Sequence, residues 1–361
     1  MFLKYLGFRS SKHTNSSQRQ YPTVIEELCH HFSPADLRKS TNNFAKDRVI
    51  GKGAFSTVYK GYIQNKTVAI KRWQVESRQG REEWKNEIVL LCQLRHPNLV
   101  SLIGFCNHKI EKILVYEYMS NESLEQHLKG DVNEALSWKK RLEICIGAAR
   151  GLHYLHAGTK RTILHRDIKP RNILLDDNMD PKLADFGLSL QGQHFKSKPK
   201  PMEVDRITGT WGYMAMEYSM YGTITDRSDV YSFGVVLLQV VSGMKYLNMS
   251  LEMRLGESPY QIKPVEEIID SNIKGKIAPE CWEVFTDITQ RCLKDEPDER
   301  PTMGEVEVQL EHALSLQEQA DMRNTNAAYT LFSTTIVNLG WERESNTYTS
   351  SESENGDIED M

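Results

Sequence analysis

His165-Arg166-Asp167-Ile168-Lys169-Pro170-Arg171-Asn172, followed by the apolar pair Ile173-Leu174 and then by Asp185-Phe186-Gly187, is the stretch that decides how this chain is to be read. Two acids and an asparagine set after short β-like runs can hold a divalent metal through their oxygens, the donor type that hard cations take. Four specified residues in H-R-D-x-x-x-x-N arise by chance about once in 10⁵ start positions, and a D-F-G downstream makes coincidence rarer still.

Upstream, Ile50-Gly51-Lys52-Gly53-Ala54-Phe55-Ser56-Thr57-Val58 is a glycine turn between strands. There, missing side chains let backbone N–H groups approach phosphates. A bare G-x-G is more often a plain hairpin turn. This one is no dinucleotide fingerprint, because a strand follows it, and no P-loop, because no G-K-[ST] closes it. Val68-Ala69-Ile70-Lys71 then puts a lysine on a run that otherwise reads as core-facing. An ammonium buried there is costly without an anion beside it. Glu87, next to Ile88 on the helix that carries Trp84, is the available acid.

The 361 residues, 39% hydrophobic, are enough for one large domain or two lobes. A net charge of -4 shows no excess of Lys and Arg, which disfavours a general nucleic-acid surface. The longest apolar run, Ile88 to Cys92, falls far short of the ~18–20 residues of a bilayer-spanning helix. The 6 cysteines are scattered with no C-x-x-C pair and read as reduced thiols of a cytosolic protein. The N-terminus has no apolar h-region, and Phe2 stands where N-myristoylation needs glycine. Phe2, Leu3, Tyr5, Leu6 and Phe8 among Lys4, Arg9, Lys12 and Arg19 allow a weak peripheral contact with an anionic membrane. A solvated flexible tail is the plainer reading.

Phe32-Ser33-Pro34-Ala35-Asp36-Leu37 carries a helix start, with Ser before Pro and an acid in the first turn, running toward Ser40. From Arg48 to Tyr118 short β-prone runs alternate with turns such as Gln64-Asn65-Lys66. One helix interrupts them, between Arg81 and Arg95, with Trp84, Ile88 and Leu91 on one stripe. After Asn121 the period becomes helical, with Leu142, Cys145, Ile146, Ala149 and Leu152 on one face and a nearly all-apolar helix from Asp229 to Val241. The end of the chain, from about Asn324, is Ser/Thr-rich and acidic and reads as disordered.

These motifs, in this order, resemble the eukaryotic protein kinase superfamily over Phe44 to Leu314. The resemblance implies an α+β, bilobal protein kinase fold: an N-lobe with a five-stranded antiparallel sheet plus one helix (44–119), and a mainly α-helical C-lobe (120–315). Outside it would lie an N-terminal extension (1–43) and an acidic tail (316–361). It implies ATP and Mg²⁺, with Mn²⁺ as an alternative ion. Ile50, Gly51, Lys52, Gly53, Val58 and Ala69 would form the nucleotide cleft, and backbone groups of Glu117 and Met119, after the gatekeeper Tyr116, would hold the adenine. Lys71, held by Glu87, would pair with the α- and β-phosphates. Asp167 would accept the substrate hydroxyl proton, Lys169 would steady the γ-phosphate, and Asn172 with Asp185 would bind the metal. Glu217 and Arg300 would form a structural pair, and Asp229 would be the buried acid opening a C-lobe helix.

Lys169 and Gly209-Thr210 resemble the serine/threonine versions of the catalytic elements. Ser40-Thr41-Asn42-Asn43-Phe44, Leu99 to Cys106 and Arg141 to His156 look like plant receptor-like kinases of the FERONIA-like and Pto-like branch. With no apolar span, the chain is expected to act as a receptor-like cytoplasmic kinase at the inner face of the plasma membrane, on protein substrates and below a membrane receptor kinase. Arg166 implies control by phosphorylation of the 185–217 segment. Ser189, Ser197, Thr208 and Thr210 are the candidates, Ser197 and Thr208 being favoured because Thr210 is expected to contact substrate and Asp167. Two positions depart from the family pattern: Ser56 replaces the third glycine of the loop, and Met216 replaces the proline before Glu217. A catalytically weak scaffold is the second reading.

Overall fold

The computed structural model describes residues 29–74, 76–109, 111–130, 135–194, 201–243, 269–324, 328–329 and 331. The first lobe is one sheet in the order β1-β5-β6-β4-β3-β2. Its strands are β1 (His30–His31), β2 (Val49–Lys52), β3 (Ser56–Ile63), β4 (Lys66–Trp73), β5 (Leu102–His108) and β6 (Glu111–Glu117). The five strands β2 to β6 pair antiparallel as expected. The sheet gains a sixth, β1, which pairs parallel with β5 through His30↔Gly104 and His31↔Phe105. Gly104 admits it: a Cβ there would lie 2.2 Å from the His30 carbonyl oxygen. The β3–β4 hairpin turns through Gln64 and Asn65, at φ 47° and 62°. That left-handed pair suits the twist of the flanking strands.

Helix α1 (Pro34–Ser40) starts as its sequence predicts, with Ser33 as N-cap accepting from Asp36 N and proline in the first turn. Its Leu37 joins Phe32, Val68, Ile70, Cys106, Ile113 and Val115 in a core on the outer face of the sheet. Residues 29–43 are therefore part of the lobe, and the boundary expected at 44 falls inside it. Helix α2 (Arg78–Leu91) packs Trp84, Ile88 and Leu91 against the inner face. It starts three residues before the expected Arg81 because Ser77 caps it, and it ends before Arg95 because that guanidinium donates to the Leu91 carbonyl (2.8 Å).

The second lobe holds α3 (Leu124–Lys129), α4 (Trp138–His153), α5 (Met216–Tyr221), α6 (Asp226–Ser242), α7 (Pro279–Cys292) and α8 (Met303–Arg323). Short antiparallel ribbons pair β7 (Arg161–Leu164) with β10 (Leu190–His194), β8 (Ile173–Leu175) with β9 (Pro181–Leu183), and β11 (Met202–Glu203) with β12 (Thr223–Ile224). The predicted α4 stripe is buried at every position, and α6 is buried nearly all round. Residues 316–323, expected in the tail, are helical. Helix α8 continues to Arg323 because the buried Gln317 accepts from Ala278 N (2.8 Å) and donates to the Lys276 carbonyl (3.2 Å). Among the described residues no helix is long and apolar enough to cross a membrane.

Asp229, buried in the first turns of α6, accepts from the backbone N–H of His165 (2.7 Å) and Arg166 (2.9 Å) and lies 2.9 Å from His156 Nε2. It thus anchors the start of the H-R-D segment to the most buried helix of the lobe. Burial alone would raise its carboxyl, but His156, His165 and the Arg166 amide outweigh it and hold the group below the usual range.

Leu37→Ala should lower stability by about 2–5 kcal/mol through the cavity left on the outer face, read as a fall in denaturation midpoint. The depressed Asp229 carboxyl contributes stability that is fully present above its unfolded value of about 3.9 and is lost as pH falls through its lower folded value. Asp229→Asn should therefore be less stable than the parent at neutral pH, with the gap closing below about pH 4 in acid-unfolding curves.

Candidate active site

Lys71 lies in the centre of the sheet, its register partners being Val58 on β3 and Leu114 on β6. Its Nζ donates to Glu87 Oε2 on α2 at 2.8 Å and to Asp185 Oδ1 at 2.7 Å. Burial alone would weaken this ammonium's hold on its proton, but Asp185 and Glu87 outweigh it and keep Lys71 above the usual lysine range. Burial holds the Glu87 carboxyl up despite Lys71. The Asp185 side chain keeps 49% exposure and, against its own desolvation, is held below the usual carboxylate range by Lys71.

The second cluster gathers around Asp167. Lys169 Nζ donates to its Oδ2 (2.6 Å), Thr210 Oγ1 donates to its Oδ1 (2.6 Å), and Lys169 also reaches Thr210 Oγ1 (2.7 Å). Asn172 Nδ2 donates to the Asp167 carbonyl (2.8 Å) and to Oδ2 (3.0 Å). Those bonds use the amide hydrogens of Asn172 and leave its carbonyl oxygen to offer a cation. Among the described residues no three His, Cys, Asp or Glu side chains gather as a metal cluster. One carboxylate and one amide oxygen fit an ion that takes its other ligands from substrate phosphates and water.

Asp185 and Arg166 both adopt left-handed backbone, at φ 69° and 70°. Such strain in residues other than glycine persists where surroundings over-determine it. Phe186 beyond Asp185 is fully buried, its ring 5.1 Å from that of His165.

At the nucleotide end, Gly51 pairs with Val58, and Gly53 N donates to Ser56 O (2.8 Å) to close the turn. Ser56 is the first residue of β3, opposite Trp73, in regular strand geometry that needs no glycine. Ile50 and Lys52 flank the turn on β2, and Ala69 sits opposite Tyr116 on the edge that leads to Glu117 and Met119. Glu117 is fixed by its own carboxylate, which accepts from Ser101 N (2.7 Å).

Of the segment's hydroxyls, Ser189 is 1% exposed and donates to the His165 carbonyl (3.2 Å), so it is closed off from another enzyme, against the expectation from sequence. Thr210 is committed to Asp167. Thr208 Oγ1 is buried in this conformation and has no hydrogen-bond partner among the described residues, so the segment must open for it to be modified. Ser197 and the stretch 246–263 lie outside the described residues, as do the basic and apolar residues 2–19. Arg166 is met by uncharged groups: the Tyr218 hydroxyl, Leu188 O (3.1 Å) and Arg206 O (3.2 Å). Met216, in the proline position, opens α5 after an extended Ala215. Glu217 still forms a two-pronged pair with buried Arg300, at 2.7 and 2.9 Å.

Two functional contacts escaped sequence reasoning. Tyr116 donates its hydroxyl to Glu87 Oε1 (2.7 Å), so both Glu87 oxygens are engaged. A tyrosine in a buried strand must find a partner for its hydroxyl, and that signal was available. Asn86 donates to three carbonyls beyond Asp185, a contact no local pattern announces.

Residues 44–310 match the family described as protein tyrosine and serine/threonine kinase. The receptor-like protein kinase FERONIA of Arabidopsis thaliana is 45% identical over 319 residues, covering 86% of this chain and 35% of that protein. The receptor-like protein kinases ANXUR2 and ANXUR1 of the same plant are 48% and 47% identical, each over 86% of this chain and 37% of its own length. The chain thus spans little more than a third of the length of these relatives. A match of this extent, over both clusters just described, means that the chain belongs to the protein tyrosine and serine/threonine kinase family.

Proposed function

We propose that the chain transfers the γ-phosphoryl group of ATP to serine and threonine hydroxyls of protein substrates. The observation that carries this reading is the pair of joined clusters: Lys71 between Glu87 and Asp185, and Asp167 between Lys169, Thr210 and Asn172. Phosphoryl transfer asks for positioning and charge stabilisation more than for covalent chemistry, and these residues provide both.

The glycine turn that holds Gly51 and Gly53 covers the phosphates, and Lys71 pairs with the α- and β-phosphate oxygens while Glu87 keeps it in place. Asn172 and Asp185 would hold Mg²⁺, or Mn²⁺ in its stead, and the ion would supply neutralisation of phosphate charge. Asp167 accepts the proton of the attacking hydroxyl. Lys169, donating from the same side, stabilises the transferring group. Thr210 orients Asp167 by engaging its second oxygen, and Lys169 with Thr210 favours serine and threonine as acceptors. Autophosphorylation at Thr208 or Ser197 would give Arg166 the anion it lacks among the described residues, a charge-assisted bond about twice as strong as its present neutral ones. The likeness to the receptor-like protein kinases FERONIA and ANXUR supports a role in receptor signalling, and the same reading puts the chain at the inner face of the plasma membrane, below a membrane receptor kinase.

Labelled phosphate transfer from ATP to a generic protein substrate tests this. Lys71→Glu and Asp167→Asn should each fall by at least about 10²-fold, and hydrolysed product should contain phosphoserine and phosphothreonine. Wild-type transfer no higher than the two variants would point to a scaffold, and phosphotyrosine alone would overturn the specificity. Met216 opens a helix after an extended residue, which is where proline fits. Met216→Pro should raise stability by about 0.4–1 kcal/mol and leave the transfer rate near that of the parent, as thermal and kinetic assays would report.

A further inference from the structure

We propose that Asn86 is a positioning residue for phosphoryl transfer: its side-chain amide grips the backbone of the turn after Asp185 and sets α2 where Glu87 and Asp185 both reach Lys71. This rests on the kinase reading above. The Nδ2 of Asn86 donates to the carbonyl oxygens of Phe186 (3.1 Å), Gly187 (3.1 Å) and Ser189 (2.6 Å). The turn Phe186–Leu188, opened by left-handed Asp185, brings these three oxygens within reach of one amide. Carbonyls report backbone shape and nothing about side chains. Asn86 therefore senses whether the segment after Asp185 is in this conformation, and it stands one residue before Glu87.

The rest of the helix face agrees. Gln79, Glu83, Asn86 and Glu87 fall at i, i+4, i+7 and i+8, on one stripe of α2. Gln79 Oε1 accepts from Arg206 of the 185–217 segment (2.8 Å). Glu83 lies so close to Gly187 that a Cβ there would be 3.1 Å from its own Cβ. The stripe touches the segment at three levels and ends on the acid that holds Lys71. An amide is the group this position needs. A carboxylate of the same shape would set an oxygen against three carbonyls, and leucine would fill the volume but leave the carbonyls without their donor.

The test uses the full chain with Asn86→Asp, Asn86→Leu and the milder Asn86→Gln, which keeps the NH₂ one carbon farther out. Measured would be kcat, the Mg²⁺ concentration at half-maximal rate, the thermal midpoint, and deuterium exchange over residues 185–190. For Asn86→Asp and Asn86→Leu, kcat should fall ~10- to 100-fold, as for a displaced catalytic group. The Mg²⁺ requirement should rise several-fold because Asp185 is no longer held, and exchange in the turn should quicken. Asn86→Gln should be intermediate, which keeps the inference testable if the harsher variants fold poorly. Parent-like kcat and ion requirement would overturn the inference, and so would a loss of kcat with unchanged ion requirement and exchange. If the wild type transfers no more phosphate than Lys71→Glu, the kinase reading has failed. Exchange in the turn then decides for Asn86 alone: faster exchange in the variants supports the grip, and unchanged exchange overturns it.

Discussion

A charged ammonium buried in the middle of a sheet is the constraint on which this structure depends. Two carboxylates outweigh the burial that would otherwise weaken the hold of Lys71 on its proton, one from a helix and one from a turn of the other lobe. Removing the buried Glu87 would leave a largely buried charge partly unpaired, a larger penalty than losing a surface pair. Strand β4, helix α2 and the turn after β9 are therefore held to one another by charge as well as by apolar packing. Tyr116 strengthens the arrangement by engaging the second oxygen of Glu87, so both oxygens of that acid are held inside the protein. Its phenol stays protonated, since burial and the Glu87 charge both push its ionisation upward.

The other lobe meets a different demand. Arg166 and Asp185 adopt left-handed backbone, which for side chains of their kind costs about 1–3 kcal/mol each. Asp229 offsets the first by accepting two consecutive backbone N–H groups from the most buried helix of the lobe. Asn86 bonds the turn that follows the second from across the cleft. The strained residues flank the two acids that chemistry needs, Asp167 and Asp185 itself. Both strained segments are held by side chains from helices, so the loops that carry the acids are positioned by helices.

Much of this was legible in the sequence, for reasons that differ by residue. Lys71 and Glu87 could be paired from cost alone, because a lysine in a V-A-I-K run needs an anion. The helix at Ser33-Pro34 and the turn at Gln64-Asn65 were readable because their backbone conformations need particular residues. Strand β1 was not, since two histidines carry no alternation, and what specifies it is Gly104, more than seventy residues away. The continuation of α8 to Arg323 was hidden for a similar reason: buried Gln317 looks like surface until the Lys276–Ala278 backbone is folded against it. Asn86 reads as a solvated helix residue because its acceptors are backbone oxygens, which leave no mark in a sequence.

The outer face of the sheet, remote from the chemistry, decides where Lys71 points. Along β4, Val68 and Ile70 enter the outer core with Leu37 of α1, while Ala69 and Trp73 belong to the inner core and Lys71 meets Glu87. A slip of one residue would exchange the faces, sending Lys71 toward α1 and Ile70 toward the cleft. Three features oppose the slip: the two-residue turn at Gln64-Asn65, the apolar seat under Leu37, and Arg72, whose guanidinium joins that of Arg38 on Glu111. Arg72 and Lys71 are adjacent cations that must face opposite ways, and each is held by acids found only on its own side. The segment before residue 44 thus contributes to catalytic geometry without touching the cleft, by making only one register of β4 compatible with a filled outer core.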